Sequence, residues 1–210
     1  MGTDPIFLIG LLARTLRPMK KAFIALLALL PAATLCHSAE TKAWTTLEAC
    51  RYLSDKSNDG DSFLVQCGRE KFFVRLYFVD APESDVSFPD RVRQQYEYFG
   101  VTRDELTRAG TRARDYVQSA LVRRPFVVHT KKTFAQGRSK ATRYYGLVQV
   151  DGRYLHQVLV SEGLARNKGS RLGLPSGETA RAHAQRLQSI EDHARLQRRG
   201  IWASHVRHPR

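Results

Sequence analysis

Apolar side chains recur with period two along Phe72-Phe73-Val74-Arg75-Leu76-Tyr77-Phe78-Val79, where every even position is hydrophobic. That alternation predicts a strand with one face in a core. Phe73, Tyr77 and Val79 make the other face apolar too, and Arg75 alone interrupts it. Two shorter apolar stretches, Ala49 to Leu53 and Phe63 to Val65, lie either side of Ser57-Asn58-Asp59-Gly60, a strong turn signal. Gly68-Arg69-Glu70 sets the second stretch off from the strand that starts at Phe72.

The period then changes. Thr102-Arg103-Asp104-Glu105 has the form of a capping box, with Thr102 as N-cap and Val101 and Leu106 placed as a hydrophobic staple. Leu106, Ala109, Ala113, Tyr116, Val117, Ala120 and Leu121 fall on one helical face up to Pro125. Phe126 to Thr130 reads as a fourth strand, and Tyr144 to Val150 as a fifth, turned by Asp151-Gly152. Leu155 to Glu162 predicts a short helix stopped by Gly163. Glu178 to Arg199 predicts a longer one, striped by Ala180, Ala184, Leu187, Ile190 and Ala194 and closed by Gly200. Lys168 to Gly177, rich in Gly and Pro, is expected to be a loop within the domain. Three strands, a helix, two strands and two helices give an α+β chain of five strands and three helices. A helix between the third and fourth strands matches the OB-fold barrel, a frequent binder of nucleic acid or sugar chains.

Charge narrows the partners. The 210 residues carry a formal net charge of +14, the mark of a protein that meets a polyanion. Met19-Lys20-Lys21 followed by the apolar run from Ala22 to Leu35, with small residues at Ser38 and Ala39, has the layout of an export signal. Residues 1–39 are therefore expected to be a targeting segment, with Met19 a candidate true start, and 40–210 a single domain. The expected location is exported, periplasmic or secreted. Membrane attachment would arise only through an uncleaved leader. The leader takes four basic residues and Asp4 with it, so the basic balance belongs to the domain. Cys50 and Cys67 remain, and an exported protein can oxidise such a pair; two buried free thiols are the alternative. The seven histidines form no close ligand pair in sequence, and His183 and His193 are expected on a solvated helix face. No zinc motif or nucleotide-binding glycine loop occurs.

The chemistry gathers at strand ends. Asp61 and Asp80 each stand at one, where two carboxylates, a backbone carbonyl and waters would make a Ca²⁺ site. Glu83, beyond the Pro82 turn, is placed to take a proton from a water aligned on phosphorus. Arg75 and Arg143 can offer paired N–H groups to phosphate oxygens. Each feature alone has an ordinary structural reading; their occurrence together in this strand order points to a phosphodiesterase site.

On Asp59-Gly60-Asp61-Ser62, the Arg75 to Glu83 block, Arg143 ahead of Gly146-Leu147-Val148, Gly163-Leu164-Ala165 and the terminal Gly200-Ile201-Trp202, the chain resembles the thermonuclease family of staphylococcal-nuclease-like OB-fold domains. The resemblance spans about residues 45–203. It implies metal binding by Asp61, Asp80 and the Ala81 carbonyl, general-base action by Glu83, and phosphate clamping by Arg75 and Arg143. It implies a monomeric Ca²⁺-dependent endonuclease that cleaves DNA and RNA with little sequence preference and leaves 3′-phosphate ends. The chain departs from the family where a Tyr-Gly-Arg motif reads Ala141-Thr142-Arg143, leaving Lys140 as the residue for the terminal phosphate. The tyrosines expected after Leu164-Ala165 fall near Gly169 and Arg171 instead. Single strands should be favoured, since stacking needs unpaired bases. Two alternatives stay open: an inactive OB module that binds nucleic acid or protein, and an envelope-bound basic protein that holds anionic polymers.

Overall fold

The computed structural model describes residues 43–136 and 142–204. The expected leader and Lys140 lie outside them. In chain order the elements are β1 (Thr45–Tyr52), β2 (Ser62–Cys67), β3 (Glu70–Leu76), β4 (Phe78–Asp80), α1 (Pro89–Phe99), α2 (Arg103–Leu121), β5 (Phe126–Phe134), β6 (Arg143–Val150), β7 (Arg153–Tyr154), α3 (Leu155–Ser161), β8 (Arg166–Gly169) and α4 (Ala180–Leu196), followed by a 3-10 turn, Gly200–Ser204. The main sheet runs β3-β2-β1-β5-β6-β7, and β3 pairs with β6 in parallel to close five strands into a barrel. This is the OB-fold α+β architecture expected from the strand order. Cys50 on β1 and Cys67 on β2 are disulfide-bonded, with their Cα atoms 4.3 Å apart.

Phe63, Val65, Phe72, Val74, Leu76, Val128 and Leu147 fill the barrel, each at most 2 % exposed. The Asn58 side chain pins the turn into β2: it donates to the Tyr52 hydroxyl and the Leu53 carbonyl and accepts from the Leu64 N–H. The helix from Thr102 begins with the full capping box, Glu105 reaching back to the Thr102 N–H at 2.8 Å. A second, smaller core joins Val92, Phe99, Val101, Leu106, Ile201 and Trp202.

Four sequence expectations need correction. The strand written as Phe72 to Val79 breaks at Tyr77. Phe78 takes a positive φ of 70°, and Phe78–Asp80 leaves the barrel to pair with β8. The loop expected from Lys168 therefore contributes its first residues to a strand, and Leu174 within it is buried. Among the described residues there are four α-helices rather than three. The additional one, α1, carries few apolar residues, and its buried positions are Val92, Gln95 and Phe99. Finally, His183 is not on a solvated face. It is fully buried, its Nε2 lies 2.7 Å from Nε2 of His156, and the pair ties α4 to α3 against the Phe78 ring.

Candidate active site

Three carboxylates and a group of cations meet at one end of the barrel. Asp61 precedes β2, and its carbonyl accepts the Leu76 N–H at 2.8 Å. The next residue, Ser62, is paired with Arg75 across the sheet, so the strand register itself delivers the guanidinium to Asp61. Arg75 Nη2 lies 3.0 Å from Asp61 Oδ2 and 3.2 Å from Asp80 Oδ1. One guanidinium nitrogen thus bridges the two carboxylates. The Ala81 N–H donates to Asp61 Oδ2 at 2.9 Å. Asp61, Asp80 and Glu83 are all buried, at 2 %, 0 % and 4 % exposure. Arg143, across from Phe73 in the register, packs its guanidinium 4.9 Å from that ring. A cleft of about 560 Å³ is lined by Arg75, Glu83, Arg91, Arg114 and Arg143 among others. The structure thus brings together Asp61, Arg75, Asp80, Ala81 and Glu83, with Arg143 on the same cleft.

A glycine on the neighbouring helix sets the approach of the Glu83 loop. Gly110 of α2 faces the Pro82 and Glu83 carbonyls so closely that a Cβ there would overlap them. Gly60 similarly allows the turn to lie against Ala81 and Ala113.

Sequence reasoning missed four residues at this site. Arg91 of α1 donates through Nη2 to Asp80 Oδ1 at 2.6 Å and through Nε to Glu83 Oε1. Gln95, one turn on and fully buried, donates to Asp80 Oδ2 at 3.1 Å and the Ala81 carbonyl at 2.8 Å, and accepts from the Glu83 N–H at 2.8 Å. Arg166 of β8 meets Asp80 Oδ2 through Nε at 2.9 Å and Nη2 at 2.7 Å, beneath the Tyr98 ring. Lys168 Nζ is 3.5 Å from Asp80 Oδ1. In the sequence these are unremarkable polar residues on a helix and after Ala165. Their signal exists only once β4 has left the barrel to pair with β8.

The two aspartates respond oppositely to this environment. Burial pushes the Asp61 carboxyl above the usual range, although Arg75 opposes it. Burial acts on Asp80 in the same sense but is outweighed by Arg91, Lys168 and Arg166, with help from Gln95. Its carboxyl is held well below the usual range.

A family model described as staphylococcal nuclease homologue matches residues 73–204. The chain belongs to that family. Comparison with curated proteins gives no match. A staphylococcal nuclease homologue carries a nuclease-like or nucleic-acid-binding OB fold, and nucleases of this fold typically depend on Ca²⁺. Among the described residues no cluster of three or more His, Cys, Asp or Glu has the arrangement of a metal site. In this staphylococcal nuclease homologue a divalent cation would draw on two carboxylates, a backbone carbonyl and water. That donor set is all oxygen and suits a hard cation. Asp80 Oδ1 is the oxygen turned towards the cleft-lining Arg75 and Arg91, whereas Oδ2 is engaged by Arg166 and Gln95.

Proposed function

We propose that this staphylococcal nuclease homologue is an exported endonuclease that hydrolyses phosphodiester bonds of DNA and RNA. The observation that carries the reading is the convergence of two guanidinium groups, Arg75 and Arg143, with the Glu83 carboxylate on one open cleft. Arg75 and Arg143 would donate N–H groups to the phosphate oxygens, where negative charge grows as water attacks phosphorus. Glu83 would take the proton of that water. As the new P–O bond forms, the bond from phosphorus to the 5′ oxygen breaks; that oxygen leaves with the bonding pair and takes up a proton from solvent water, and a 3′-phosphate end remains. Asp61, Asp80 and the Ala81 carbonyl would hold Ca²⁺, which when bound neutralises phosphate charge and polarises the P–O bonds. The donors are set by β-strand register and burial, so little reorganisation is needed at the moment of reaction.

The substrate reading follows from charge. The described lining of the cleft carries Lys56, Arg75, Arg91, Arg114 and Arg143, so phosphate contacts would dominate and affinity would fall with salt, and single strands would be favoured where unpaired bases can stack. One feature favours the second reading, a non-catalytic binding module: Arg91 ties up Glu83 and Asp80 together. Cleavage of labelled single-stranded DNA and RNA by the purified protein, with Ca²⁺ and with chelator, tests the proposal against a Glu83→Gln control. Ca²⁺-stimulated cleavage lost in Glu83→Gln supports it. Binding without cleavage under every metal condition overturns it in favour of the module.

A further inference from the structure

The helix that the sequence did not reveal delivers a positive charge to the place a cation would take. α1 starts with Pro89 in its first turn, and Val92 and Phe99 anchor it in the second core. Arg91 is thereby held over the cleft, bridging Asp80 Oδ1 at 2.6 Å and Glu83 Oε1. We propose that Arg91 is a built-in competitor for the metal: it occupies Asp80 Oδ1 until Ca²⁺ displaces it, so that metal entry also breaks the ion pair between Arg91 and Glu83. The inference rests on the reading that Asp61, Asp80 and the Ala81 carbonyl hold Ca²⁺.

The geometry distinguishes Arg91 from its neighbours. Arg166 is only 7 % exposed and holds Oδ2, so it can stay while a cation takes Oδ1. Lys168 reaches Oδ1 only at 3.5 Å with a side chain about half exposed, and solvent screens its charge. Arg75 contacts Oδ1 at 3.2 Å but is tied to Asp61 as well. Arg91 alone among these four spans Asp80 and Glu83, and its side chain is 29 % exposed at the cleft wall, which leaves it a path outward. A guanidinium and a divalent ion at one carboxylate oxygen repel strongly, and Arg91, at 2.6 Å against 3.2 Å for Arg75 and 3.5 Å for Lys168, sits closest to Oδ1 and is the one that must give way. When Arg91 leaves, its ion pair with Glu83 is broken in the same movement. Arg91 is in this sense a positioning residue, acting through Asp80 and Glu83.

Calorimetric titration of the full-length protein with CaCl₂ tests the competition directly, without reference to activity. Wild type, Arg91→Gln, Arg91→Lys and Asp61→Asn are compared, each checked by thermal melting for a native fold. The expected result is Ca²⁺ binding tighter by about tenfold or more in Arg91→Gln, because a competing charge has been removed. Arg91→Lys, which keeps the charge but lacks the fork, should fall between the two. Asp61→Asn should weaken binding. Equal or weaker affinity in a folded Arg91→Gln protein overturns the competition while leaving the metal site intact. An absence of Ca²⁺ binding in wild type and Arg91→Gln alike overturns the metal reading itself, and the competition with it.

Discussion

Lowering the pH should loosen the packing of α3 against α4 before it reaches Asp80. His156 is fully buried beside His183, and burial pushes its imidazole down to about 3, with the neighbouring His183 and Arg186 acting in the same sense. Burial also lowers His183, although Glu178 opposes the shift through its carboxylate at 3.1 Å from Nδ1. The sign follows from linkage. A histidine kept neutral in the folded state has no effect well above the unfolded value. As the pH falls through 6.5 the unfolded chain takes up protons that the folded chain refuses, and stability drops until the folded value is reached. With a folded value of about 3 and an ordinary 6.5, moving from pH 7 to pH 5 should cost about 2 kcal/mol from His156 alone. His183 adds to this in the same direction. Asp80, held low by its cations, contributes in the opposite part of the scale: its stabilisation is present above the ordinary carboxylate range and is lost only as the pH falls towards its depressed value. The two windows therefore separate. Urea unfolding at pH 7 and pH 5 measures the drop, and His156→Gln removes the titrating group. The variant's loss between the two pH values should be smaller than that of wild type by about 2 kcal/mol. An unchanged pH dependence in a folded variant would refute the reasoning.

Arg166→Met keeps much of the stem under Tyr98 but strips one partner from a buried carboxylate. It should cost about 3 kcal/mol in chemical denaturation, the low end for breaking a buried pair, because Asp80 retains Arg91 and Gln95. Glu83→Gln should lower the cleavage rate by about a hundred- to ten-thousandfold while leaving oligonucleotide affinity largely in place. Arg75→Lys should lose on the order of a hundredfold in rate, since a point charge cannot replace a planar fork, and near-wild-type turnover in the folded protein would sink its clamping role. Gly110→Ala must push back the Pro82–Glu83 backbone, so single-turnover kinetics should show a loss of rate beyond what a destabilisation of about 1–3 kcal/mol explains.

What was legible in the sequence is what local chemistry dictates. Thr102 and Glu105 cap a helix because the side chain and backbone groups involved are three residues apart, and the capping box forms as written. Asp61, Arg75, Asp80 and Glu83 come together because the turn, the strand and the strand register are encoded within about twenty residues. The break at Tyr77 was hidden because apolar residues continue through it. The alternation cannot distinguish a strand that stays in the barrel from one that leaves through a positive φ at Phe78 and buries its next residues elsewhere. α1 escaped notice for the opposite reason. Its buried face includes Gln95, whose amide is satisfied by Asp80, Ala81 and Glu83, so no hydrophobic stripe announces it. His183 reads as a solvated residue because its partner, His156, is 27 residues away and meets it only when α3 and α4 pack.

The charges of the cleft also bear on how its residues should be tested. Arg75, Arg91, Arg166 and Lys168 all lie within 3.5 Å of a single carboxylate, Asp80. Clustering four cations is unfavourable, and Asp61, Asp80 and Glu83 offset their repulsion, so the acids stabilise the site whatever chemistry it performs. Removing Asp80 altogether would leave the buried Arg166 without its carboxylate, and the protein would lose stability and activity together. Loss of function in an alanine variant at Asp80 is thus no evidence of metal ligation. Asp61 is the better probe: its carboxyl is already pushed upwards by burial, and asparagine can still accept the Ala81 N–H. A folded Asp61→Asn protein that loses Ca²⁺ affinity reports on the metal, whereas one that loses only thermal stability reports on the ion pair with Arg75.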